Sequence, residues 1–98
     1  MKSKIQQVQE MISEECRKIE SILLQKNKEY GNSAIEPPRI FSSASNMEQI
    51  NVRIDDKLSR IKNRDHKDIK EDTVTDLIGY LILKKVVQRI LKNEEDIV

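Results

Sequence analysis

The chain has 98 residues, of which 36% are charged and 37% hydrophobic, with two Gly, two Pro, no Trp and only Tyr30, Phe41 and Tyr80 as aromatics. One domain suits that length, and helices suit that composition, because turn formers are scarce and Ile, Leu, Lys, Glu and Gln are plentiful. Eighteen basic against seventeen acidic residues leave a net charge of +1, without the basic excess that nucleic-acid binding calls for, and no apolar run nears the roughly 20 residues of a membrane span.

The first predicted helix runs from about Ser3 to Glu29. Ile5, Val8, Ile12, Cys16, Ile19, Ile22 and Leu23 recur at steps of three and four, which is one helical face. Ser3 and Gln6 have capping-box spacing at its start, and Gly31-Asn32 stop it. At about 1.5 Å per residue this helix spans about 40 Å, more than so short a chain needs internally, so an oligomer is expected. Cys16, the only cysteine, has no internal disulfide partner, excludes a Cys-rich zinc site and reads as core. The N-terminus, Met1-Lys2-Ser3-Lys4-Ile5-Gln6, lacks a signal peptide's apolar stretch, so a cytoplasmic location is expected.

Residues 31–45 form the first joint, where Pro37-Pro38 and Ser42-Ser43-Ala44-Ser45 break helix. Ile35, Ile40 and Phe41 are apolar within it, so the loop should fold back onto the helices. The second helix runs from about Asn46 to Lys62. Ser45 and Glu48 have capping spacing, and Met47, Ile50, Ile54, Leu58 and Ile61 make its stripe. A polar turn containing His66, read as a solvated residue, leads to a third helix from about Ile69 to Asn93, with Asp68 and Glu71 at capping spacing. Its apolar set is broad, from Val74 through Leu77, Leu83 and Val87 to Leu91, which marks a central helix or one with two neighbours. Only Glu94-Glu95-Asp96 looks loose. The expected fold is all-α: a single-domain, antiparallel three-helix bundle with a folded loop between helices one and two, completed by oligomerisation.

Three polar clusters stand out against this frame. Lys26-Asn27-Lys28-Glu29-Tyr30-Gly31 closes helix one. It is either a plain helix end or a set of cations for phosphate, with Tyr30 for base stacking or a hydroxyl contact. Arg53, Asp56, Lys57 and Arg60 share a flank of helix two. They are either an exposed ion-pair ladder or a phosphate grip in which Asp56 orients Arg60. Asp72, Asp76, Gly79 and Tyr80 fall on one face of helix three. The two like charges one turn apart repel, and Asp76 beside Leu77 and Ile78 calls for a partner: a cation, a donor network or a metal. Asp72 and Asp76 with waters suit Mg²⁺. Gly79 costs about 1 kcal/mol relative to Ala in mid-helix, which suits a close approach by another backbone or a ligand.

Taken in order, Lys26-Asn27-Lys28-Glu29-Tyr30-Gly31-Asn32-Ser33, Arg53-Ile54-Asp55-Asp56-Lys57-Leu58-Ser59-Arg60-Ile61 and Glu71-Asp72-Thr73-Val74-Thr75-Asp76-Leu77-Ile78-Gly79-Tyr80 resemble the first of the nucleotide modification associated domain families. These are small helical proteins of phages and prophages, and the resemblance covers roughly residues 20–90. It implies a role in phage nucleotide metabolism. The third block faintly resembles the last acidic motif of MazG-type all-α nucleotide pyrophosphohydrolases. Their Glu-Glu-x-x-Glu motif is most nearly matched here by Glu14-Glu15, with Lys18 in the third acid's place, and by Asp55-Asp56, with Ser59 there.

The leading expectation is therefore a phage-type nucleotide-binding protein, acting in nucleotide modification or sequestering a signalling, even cyclic, nucleotide in evasion of host defence. Its ligand residues would be Lys26, Asn27, Tyr30, Arg53, Asp56, Lys57, Arg60, Asp72, Asp76 and Tyr80. A second expectation is a Mg²⁺-dependent pyrophosphohydrolase with Glu29, Asp72 and Asp76, joined by Asp56, on the metal. A third is a structural helical adaptor whose polar blocks are ion-pair networks between subunits.

Overall fold

The computed structural model describes residues 1–63 and 72–97, which form three helices: α1 (Lys4–Tyr30), α2 (Asn46–Asn63) and α3 (Thr73–Ile97). The all-α expectation is met, and no strand occurs among the described residues. His66 and the capping spacing of Asp68 and Glu71 lie outside them.

Local sequence accounts for the helix ends. At the start of α1, the Gln6 amide donates to Ser3 Oγ at 3.1 Å and the Ser3 amide donates to Gln6 Oε1 at 2.9 Å, a complete capping box. Gly31 ends α1 with φ +65°, a conformation that costs any residue with a Cβ. Ser45 Oγ accepts from the Glu48 amide at 3.1 Å to open α2. Asp72 opens α3: its carbonyl accepts from the Asp76 amide at 3.0 Å, and its Oδ1 accepts from the Thr75 amide at 3.0 Å. Asp72 is thus the cap of α3, not a member of its first turn. Glu94 and Glu95, expected in a loose tail, lie within the helix.

α2 and α3 run antiparallel and make the main pairing, Arg53 meeting Tyr80 and Lys57 meeting Asp76 four residues on. Their seam holds the core: Ile50, Ile54 and Val87 are buried, with Met47, Leu77, Leu83 and Ile90 packed around them. Burying each of the three contributes roughly 1.5–3 kcal/mol before ordering costs. Leu58 and Ile61, expected in the stripe, are exposed. Lys57 already meets the first turn of α3, so α2 there runs past the start of its partner.

The loop after α1 folds back, but through one residue. The amides of Ile35 and Glu36 both donate to the Asn32 carbonyl, at 3.0 and 2.7 Å, and this turn seats Ile35 in the core. Arg39 then ties the loop to α2 by donating to the Ala44 carbonyl at 3.1 Å and to Asn46 Oδ1 at 2.6 Å. Ile40 and Phe41, expected inside, are exposed, Phe41 at 99%. The turn brings Ile35 to the seam and carries the chain outward before Arg39.

α1 lies along α3 in the same direction over a short stretch, with Lys18 near Asp72 and Leu23 over Gly79. Ile19 is buried and Ile22 and Leu23 half-buried, whereas Ile5, Val8, Ile12 and Cys16, on the same stripe, are exposed. The expectation that Cys16 is core is corrected: α3 begins at Thr73, level with residue 18 of α1, and does not reach Cys16.

Candidate ligand-binding site

A cavity of about 530 Å³ opens between the second half of α1, the turn that follows it and α3. That volume falls in the range of small-molecule sites. Its wall is largely aliphatic, from Ile19, Leu23, Ile82, Leu83 and Val86. The stripe of α1 explains its polar rim: Lys26 and Tyr30 continue the three-to-four-residue spacing of Ile19 and Leu23, so they share the face turned to α3.

The cavity gathers Lys26, Asn27, Tyr30, Arg53, Asp76 and Tyr80 from the three clusters, together with Gly79. Tyr30 is 69% exposed, at the mouth. Arg53 comes from α2 and is placed by Tyr80. Its guanidinium carbon lies 5.9 Å from the ring centroid, and Nη1 donates to the Tyr80 hydroxyl at 3.5 Å. Asn27 is engaged in the helix end, its Nδ2 donating to Gly31 O at 3.2 Å and to Asn32 Oδ1 at 2.9 Å.

Asp76 has the partner its setting demanded. Lys57 Nζ lies 3.3 Å from Asp76 Oδ2, and the side chains are 12% and 35% exposed. Lys57 is thereby half of an ion pair behind the cavity and does not line it. Asp56 and Arg60 pair with each other at 3.3 Å along α2, away from the cavity wall, as the ladder reading has it. Asp72 also stays off the wall. Its carboxylate accepts from the hydroxyl and the amide of Thr75, which hold its pKa below the ordinary 3.8.

The expected Mg²⁺ set is not brought together. Glu29 Oε1 accepts from Gln25 Nε2 at 2.7 Å, Asp72 is turned to Thr75, and Asp76 faces Lys57. No group of three acidic, His or Cys side chains suited to a metal occurs among the described residues. Glu29, Asp72 and Asp76 each have a different partner in this structure. Capping sets Asp72 at the helix end, and Lys57 occupies the charge of Asp76.

Reading clusters by type missed the polar residues Glu20, Asn32, Ser33 and Thr75, which also line the cavity. The spacing of Glu20 from Asn27 offers a faint signal. The turn at 31–35 offers none before its path is known. Comparison with protein families, curated proteins and solved structures finds no match to this chain. No helix among the described residues is long and apolar enough to cross a membrane.

Proposed function

We propose that this is a small nucleotide-binding protein of phage type, which takes a phosphorylated nucleotide into the cavity between α1 and α3. The observation that carries the reading is the meeting, in one recess, of residues from all three clusters: Lys26 and Tyr30, Arg53, and Tyr80. The aliphatic wall suits the flat, weakly hydrated body of a nucleobase. Tyr30 at the mouth offers it a stacking face, and Lys26 and Arg53 offer phosphate two permanent cations. Arg53 is the better placed of the two, because contact with Tyr80 pre-orients its planar fork. Asn27 and Asp76 line the recess, and Lys57 holds Asp76 from behind. Such a protein would hold a nucleotide for modification or keep a signalling nucleotide from its receptor.

Titration calorimetry with nucleoside mono-, di- and triphosphates and cyclic dinucleotides tests this. At least one should bind, and Arg53→Ala or Lys26→Ala should weaken it about tenfold or more, the scale of one charge-assisted hydrogen bond. If nothing on the panel binds at millimolar concentration, or if both variants match the wild type, the proposal fails.

A further inference from the structure

The apolar stripe of α1 runs unbroken from Ile5 to Leu23, but α3 covers only its second half. In the first half, Ile5 is 72% exposed, Val8 45% and Ile12 57%, with Met11 and Cys16 also exposed beside them. The radius of gyration, 16.6 Å, exceeds the roughly 13 Å of a compact chain this long, in keeping with a helix that projects from its own bundle.

We propose that a second copy of this chain covers the first half of α1, the two helices packing antiparallel across residues 2–18. Three observations select this occupant and this direction. The first is steric. In each copy the later half of the same stripe is already covered by α3. Parallel pairing, stripe to stripe, would drive the two α3 helices into each other. Antiparallel pairing leaves each bundle beyond the end of the other's exposed half.

The second is charge. Lys4 lies on the flank of the stripe that carries Glu15. Antiparallel helices set like flanks together, so Lys4 of one copy meets Glu15 of the other. The third is area. Ile5, Val8, Met11, Ile12 and the smaller Cys16, at roughly 100 Å² each on average, give about 500 Å² per copy and about 1,000 Å² in the pair, the lower bound for a specific interface. In this register Val8 packs on Ile12 of the other copy and Ile5 on Cys16. The interface stands whether or not the cavity takes a nucleotide.

Sedimentation velocity from micromolar to millimolar protein should show a dimer, and Ile12→Glu should give a monomer with unchanged circular dichroism. Ile12 is exposed within the single chain, so its replacement leaves the fold intact. Direction is read by cross-linking. With diamide as oxidant, Ile5→Cys should form a covalent dimer through Cys16 of the other copy. The wild type should not, because its two Cys16 lie about 12 residues or ~18 Å apart along the pair, beyond disulfide reach. A monomer at every concentration, a dimer indifferent to Ile12→Glu, or a wild-type Cys16–Cys16 cross-link as complete as that of Ile5→Cys would each overturn the proposal.

Discussion

Gly79→Ala tests how α1 meets α3, because two effects of opposite sign compete there. Alanine is favoured over glycine by about 1 kcal/mol in a helix interior. Against this, a Cβ at position 79 would lie 3.3 Å from Leu23 Cδ2, so the leucine must yield by a few tenths of an ångström. Leu23 is half-buried and borders the cavity, so its terminal methyl has space to move into. An off-rotamer adjustment costs on the order of 0.5 kcal/mol. The balance is a net stabilisation of about 0.5 kcal/mol, which raises the melting temperature by roughly 2–4 °C in a domain of this size.

Urea unfolding followed by circular dichroism, at a single protein concentration, measures the difference. Gly31→Ala supplies the contrast. Nothing lies near its added Cβ, but φ is +65° and ψ −150°, a region essentially reserved for glycine, so strain alone should destabilise it by about 1–3 kcal/mol. A loss of 1 kcal/mol or more on Gly79→Ala would mean that α1 is locked against α3. The reading of a loosely filled α1–α3 interface would then be refuted.

Two further outcomes follow from the charged groups. Asp76→Asn strands the largely buried Lys57 ammonium and should cost about 1–3 kcal/mol. Lys57→Met leaves Asp76 open to water and should cost less than about 1 kcal/mol, so equal losses in denaturant melts would contradict the geometry. Asp72 contributes stability above its ordinary pKa of 3.8, because Thr75 depresses its folded value. That contribution is lost as pH falls through the depressed value. Asp72→Asn keeps an acceptor for the Thr75 amide, so it should hold near wild-type stability at neutral pH and flatten the acid end of a stability–pH curve.

Helix type and number, both ends of α1 and the start of α2 were legible in the sequence because they rest on neighbours within one turn. Ser3 with Gln6, Ser45 with Glu48, and Gly31 all act over three or four residues, where spacing is sufficient information. The demand of Asp76 for a partner was legible for a similar reason, since an acid among Leu77 and Ile78 is conspicuous whatever the fold. Asp72 was placed inside α3 because Asp68 and Glu71 also have capping spacing, which competes with the cap that Asp72 makes with Thr75.

Burial was another matter. Ile12 and Ile19 occupy the same stripe and read alike, yet one is exposed and the other buried, because burial depends on where α3 begins alongside α1. Ile35, Ile40 and Phe41 are equally apolar, and only the turn on the Asn32 carbonyl selects Ile35. The candidate site divides along the same line. The sequence alone named Lys26, Tyr30, Arg53 and Tyr80 by chemical type. Their convergence, and the pairing of Lys57 with Asp76 instead of with a ligand, came from the angle and offset at which three helices pack, which no local spacing encodes.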